Sequence, residues 1–416
     1  MTALDLDFVR SQFPAFGLPE YNGQSFFENA GGSFACAQTI EALHRYYTRT
    51  KVQPYASYAT SATAGEQMDA SRSRWAQALG VATDEVQFGP STSMNTYVLA
   101  QAFGRILAPG DEVIVTNQDH EANTGAMRRM AEATGATLRE WRVDPATGLL
   151  DGADLRALLG PRTKLLCFPH CSNIVGQENP AAEWVAAAQE VGARVVVDGV
   201  SFAPHGLPDV GALGADIYLF SLYKVYSVHQ GLMVTANGIL DHLPNQGHFF
   251  NAGSAAKRLT PAGPDHAQEA AAGAVLDYVE ASAAHHGVGD GTLRSAAAEV
   301  STLWQDHEHT LVEPVLDYLA DHDGVRLVGP VRTVDPGLHR CPTVAFVPRA
   351  ITAADCAQLL VQRGVMCSNG DFYAKRLLEG VDVDLTHGVV RVSWVHYTGR
   401  DDIDRLLGAL DEVLSP

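Results

Sequence analysis

The sequence predicts an α/β protein: a three-layer αβα large domain on a mainly parallel sheet, followed by a smaller C-terminal α+β domain. From about residue 80 to 235, short apolar runs alternate with amphipathic helical runs, as in parallel strands covered by helices on both faces. Beyond residue 285 the order becomes helices mixed with scattered strands. At 416 residues, 46% hydrophobic and 19% charged, the chain is long enough to bury more than one core. The large domain is expected over 16–284 and the small one over 285–416, with residues 1–15 packing on the latter.

In chain order, residues 4–13 read as a short helix ended by Pro14. Residues 25–33 (Ser-Phe-Phe-Glu-Asn-Ala-Gly-Gly-Ser) set a small polar turn after an apolar pair. Its glycines serve an ordinary turn or let backbone lie against a ligand. Strands are expected at 85–88, 112–116, 137–141, 164–168 and 194–198, with helices near 94–107, 121–134 and 180–192. Residues 216–235 read as a buried strand, a polar turn carrying Ser221 and Lys224, and a second strand after Gly231. A Gly/Pro-rich stretch over 236–265 precedes helices at 265–286 and 292–321. The remainder alternates strands near 325–328, 342–347 and 388–395 with helices near 352–363 and 400–414.

Composition narrows the function classes. The chain carries 29 Lys and Arg against 48 Asp and Glu, a net charge of −19, which opposes a nucleic-acid surface. The start is acidic and lacks a signal-peptide pattern, and no apolar run reaches the roughly 18 residues of a membrane span. The six cysteines form no CxxC pair, so neither a disulfide framework nor a zinc site is expected. No metal is expected, and the setting is read as reduced and cytoplasmic.

Ligands of such sheets sit beyond the carboxyl ends of the strands. After 85–88 comes a loop with Ser91, Thr92 and Ser93 at a helix start, suited either to a phosphate or to plain capping. After 112–116 comes His120, and after 164–168 comes Asn173. Asp198 closes a Val-rich run, where a buried carboxylate needs a cationic partner. Ser201 follows it, and Lys224 is an amine set between buried strands. Such an amine is tolerated when paired, neutral or joined to a carbonyl cofactor.

In the order and spacing of these residues the chain resembles the fold-type I pyridoxal-phosphate enzymes, specifically the class V aminotransferase family and its cysteine-desulfurase-like branch. The resemblance runs from Asn29-Ala-Gly-Gly32 to Arg391. It implies pyridoxal 5'-phosphate as cofactor, Schiff-base-linked to Lys224, with Asp198 at the ring nitrogen and His120 over the ring face. Asn173 falls near the ring hydroxyl, and Thr92, Ser93 and Ser221 near the phosphate. Arg391 takes the substrate α-carboxylate, as its forked guanidinium suits, with Asn29 and Tyr223 also on the substrate side. A homodimer with active sites at the subunit interface and a small amino-acid substrate complete the implication.

Departures from the family are equally readable. The persulfide-carrying cysteine of a desulfurase belongs in the loop at 366–374, but its position falls near Tyr373, while Cys367 lies before Gly370 and reads as a core residue. Tyr223 stands where histidine is frequent, Ser201 where glutamine is, and residues 259–266 lack the usual phosphate-binding threonine. These departures favour a C–S (or C–Se) β-lyase acting on cysteine or a cysteine-derived metabolite. An aminotransferase or epimerase is the alternative, and a non-catalytic cofactor-sensing regulator the remote one.

Overall fold

The computed structural model describes residues 3–332 and 338–414; the expected domain limits at 1–2 and 415–416 lie outside them. The strands, in chain order, are β1 (Ser25–Phe26), β2 (Val86–Gly89), β3 (Glu112–Thr116), β4 (Thr137–Trp141), β5 (Thr163–Pro169), β6 (Arg194–Asp198), β7 (Ile217–Ser221), β8 (Gly231–Thr235), β9 (Val325–Val328), β10 (Thr343–Pro348), β11 (Val365–Met366), β12 (Ser368–Gly370) and β13 (Val389–Ser393). Seven of them form one sheet in the order β2-β8-β7-β6-β5-β3-β4. β7, β6, β5, β3 and β4 pair in parallel, and β8 runs antiparallel to both its neighbours. The sequence leads to this because β3, β6, β7 and β8 are runs rich in Val, Ile and Leu, buried on both faces, as a helix-covered parallel sheet requires.

Four further strands form a second, antiparallel sheet, β12-β13-β10-β9. It packs with helices Ala353–Val361 and Arg400–Leu414 around a core of its own, centred on Phe346, Val390 and Trp394. β1 pairs with β11, so the N-terminal segment is tied to this sheet's surroundings. Arg10 reaches the same region, with ion pairs to Asp401 and Asp402.

The expected helix at 265–286 is two helices, His266–Ala272 and Val275–His286. Gly273 sits at the break, where a Cβ would lie 2.9 Å from the Ser71 Cα, so the chain bends where it meets helix Ala59–Leu79. Among the described residues, no helix is long and apolar enough to cross a membrane.

Candidate active site

The strand ends converge at one edge of the large sheet. β6 ends at Asp198 and β7 at Ser221, and a single 3₁₀ turn, Leu222–Lys224, closes the passage into β8. Leu222 N–H donates to the Gln230 carbonyl at 2.8 Å, and Ser33 Oγ donates to the Lys224 carbonyl at 2.9 Å, so the turn is held from both sides. Lys224 is buried, and burial brings its ammonium down to about 8; Arg391 pushes the same way, while Asp198 and Glu28 oppose. Burial pushes Asp198 up to about 6, against the Val200 N–H, which donates to Oδ1 at 2.8 Å, and against the Lys224 charge.

A small cavity of about 60 Å³ lies between these groups, and Thr92, Ser93, His120, Asn173, Ser201 and Tyr223 also line it. Helix Thr92–Phe103 starts at its rim, with the Thr92 and Ser221 hydroxyl oxygens 2.7 Å apart. Gly231 makes this approach possible: a Cβ there would fall 2.5 Å from the Ser91 carbonyl carbon. His120 caps the next helix, accepting from Ala122 N–H through Nδ1 at 3.0 Å. Burial, with Lys224 and Arg391 nearby, lowers it to about 3, so the ring is neutral. Asn173 donates through Nδ2 to the Phe372 carbonyl at 2.9 Å, leaving a buried Oδ1 with no partner.

A larger cavity of about 810 Å³ opens beside Lys224, and Arg391, Tyr223 and the loop 368–373 form much of its wall. Arg391 is buried on β13 with Phe372 covering its guanidinium, Cζ 3.8 Å from the ring centroid. It donates to the Asn173 carbonyl at 3.2 Å and to Glu28 Oε1 at 3.0 Å. Phe372 and Tyr373 both have positive φ, +50° and +58°, a conformation that costs about 1 kcal/mol or more for non-glycine residues. The Asn173 bond to Phe372, and Glu121 N–H donating to the Tyr373 carbonyl at 2.8 Å, hold it.

Two expected residues are placed otherwise. Asn29 turns away from both cavities: its amide donates to the Phe26 and Ser393 carbonyls and its Oδ1 accepts from the Tyr397 hydroxyl. Its neighbour Glu28 faces the larger cavity instead. Ser91 is the helix cap, accepting from Met94 N–H at 3.2 Å, and its side chain does not line the small cavity.

Asp119 was not anticipated as a site residue, although an acid just past a buried strand is a readable signal. It lines both cavities, accepts from His120 N–H and Asn123 Nδ2, and is held well above the usual carboxylate range by burial and the Asp198 charge. Cys367 packs beside the core of the smaller sheet, its thiol pushed up to about 12 by burial. Among the described residues, no cysteine lines the larger cavity, and no group of three or more His, Cys, Asp or Glu could hold a metal.

Comparison with known proteins places the chain in a family. The family model described as aminotransferase class-V matches residues 25–239 and 291–406. The chain is 32% identical to the aminotransferase-like protein FGM3 of Gibberella zeae, over 99% of each chain. It is 29% identical to a cysteine desulfurase of Serratia proteamaculans, over 97% of each. The crystal structure of the Escherichia coli cysteine desulfurase CsdA superposes with a TM-score of 0.82 over 99% of each chain at 24% identity, a likeness of fold. The chain belongs to the class V aminotransferase family, on its cysteine-desulfurase-like side, and is a pyridoxal-phosphate-dependent enzyme.

Proposed function

We propose that the protein cleaves a bond at the β carbon of a small amino acid, as a C–S or C–Se β-lyase of cysteine or a cysteine-derived metabolite that releases its sulfur product directly. The observation that carries this reading is the absence, among the described residues, of a cysteine lining the larger cavity, where Tyr373 stands instead. The Serratia relative, named a cysteine desulfurase, supports C–S chemistry.

The donor set suits the cofactor. Asn173 Oδ1 is a buried acceptor without a donor, as a ring hydroxyl would require. The helix start beside Thr92, Ser93 and Ser221 offers free N–H groups and hydroxyls to a phosphate. When bound, the cofactor supplies an aromatic ring that withdraws electrons from the substrate's α carbon. Asp198 would hold the proton on the ring nitrogen, and His120, neutral, would lie against the ring face. Lys224, lowered to about 8, gives up its proton more readily than an ordinary lysine, and so supplies the neutral amine needed both to join the cofactor and to take the α proton. Arg391 would hold the α-carboxylate and so fix which substrate bond faces Lys224, with Tyr223 beside it.

The proposal extends to a cytoplasmic homodimer with a large unit over 16–284 and a small one over 285–416. Phe249 and Phe250, 88% and 70% exposed on one 3₁₀ turn, support a covered face. The test of the reaction is the purified holoenzyme against an amino-acid panel, scored for sulfide and pyruvate, for keto acid with pyridoxamine phosphate, and for optical purity. Sulfide and pyruvate without protein-bound sulfur are expected. Accumulation of the pyridoxamine form without sulfide overturns the lyase reading in favour of an aminotransferase, and loss of optical purity alone favours an epimerase.

A further inference from the structure

Arg391 already carries a carboxylate. Glu28 Oε1 lies 3.0 Å from Nη2, Nη1 is engaged by the Asn173 carbonyl, and Nε has no partner. With Phe372 covering one face of the guanidinium, an incoming carboxylate has one two-donor edge to use, Nε with Nη2, and Glu28 occupies half of it. Two carboxylates on one buried guanidinium repel each other strongly. Glu28 and a substrate carboxylate therefore compete.

Glu28 is arranged to give way. Its side chain is 27% exposed against 3% for Arg391, and its Oε2 has no partner, so one ion pair alone holds the carboxylate. Its backbone is fixed, the carbonyl accepting from Gly31 and Gly32 N–H and the residue bridging to Ser393. Gly31 clears the space in which the carboxylate sits, because a Cβ there would lie 2.7 Å from Oε1. Motion is thus confined to the side chain, which borders the cavity.

We propose that Glu28 is a displaceable counter-ion that sets the substrate class of this site. With Glu28 on Arg391 the site takes amines that lack an α-carboxylate; with Glu28 swung aside it takes amino acids. The inference rests on the reading that Arg391 is the seat of the substrate carboxylate.

The test titrates the holoenzyme with propionate, L-alanine and ethylamine, followed by calorimetry and, for the amines, by cofactor absorbance. Glu28→Gln keeps the shape and one acceptor while removing the charge, and Glu28→Ala serves as a second variant should Gln perturb folding. Propionate and L-alanine are expected to bind about ten-fold more tightly to Glu28→Gln than to the native enzyme, with ethylamine unchanged or weaker. Unchanged propionate and L-alanine affinities, or equal tightening for ethylamine, overturn the counter-ion role and leave the Arg391 reading standing. Arg391→Met separates the two: propionate binding that survives it places the carboxylate elsewhere and overturns both.

Discussion

Asp198 and Lys224 are the buried anion and cation of one strand pair: Asp198 ends β6 opposite Leu219 of β7, and Lys224 sits in the turn that β7 enters. Burial works against the charge of each, and each opposes that effect in the other. The arrangement favours a cofactor that engages both, since without one the protein bears two desolvated charges.

That relationship predicts a pH-dependent stability of the cofactor-free protein. Folded Lys224 loses its proton near pH 8, against 10.5 for an ordinary lysine, so between those values the unfolded chain binds the extra proton and stability rises with pH. Below about pH 8 both states are charged and the burial penalty stands in full. Lys224→Met is expected to stabilise the apoprotein at pH 7 by on the order of 2 kcal/mol, with the gain shrinking toward pH 10. Urea unfolding at several pH values measures it, and a gain that does not shrink would contradict the burial account.

The same amine predicts the covalent link. Borohydride treatment of the holoenzyme should fix the cofactor on the peptide that contains Lys224, detected by mass spectrometry, and bleach the visible absorbance. In Lys224→Ala the reducible adduct should vanish while the fold persists. A Lys224→Ala protein that keeps the same reducible adduct would place the link on another lysine.

These groups are legible in the sequence because an acid or amine at the end of a Val- or Leu-rich run has nowhere to go but the edge of a buried sheet. Side-chain direction in the turn at 25–33 is not legible in that way. Which of Glu28 and Asn29 faces the cavity depends on the bridge to Ser393, more than 360 residues away. Helix Ala59–Leu79 escaped notice for another reason. Much of its buried face is small, as at Ser61, Ala64, Gly65 and Ser71, and the large anchors Met68, Trp75 and Leu79 are spaced among these, so the apolar stripe is broken in the sequence. The role of Phe372 as a cover for Arg391 rests on its positive φ, which no propensity announces.

Asp198→Asn isolates the charge from the shape, because an amide can still accept from Val200 N–H. The variant is expected to retain cofactor, judged by absorbance, and to lose turnover by roughly 10²–10⁴-fold. The visible band should also shift, since the ring nitrogen would no longer be held protonated. A kcat near that of the native enzyme would remove Asp198 from the chemistry.

The last prediction concerns where sulfur goes. Cys367 is a poor nucleophile, because burial holds its thiol at about 12 and the thiolate is the reactive form. Cys367→Ser should therefore leave turnover within about two-fold, at a small stability loss from placing a hydroxyl beside the smaller core. Tyr373 is the position that matters instead: it is 70% exposed at the cavity wall, with its ring 5.2 Å from that of His120. Tyr373→Cys would place an accessible thiol there. With cysteine as substrate and no added reductant, attack of that thiolate on the substrate's sulfur, with the C–S bond breaking and its electron pair left on the carbon skeleton to give alanine, should add a sulfur atom to the variant by mass while the native protein gains none. Persulfide on native Cys367, or loss of activity in Cys367→Ser, would show that the loop moves far enough to expose a residue now buried, and would restore a desulfurase mechanism.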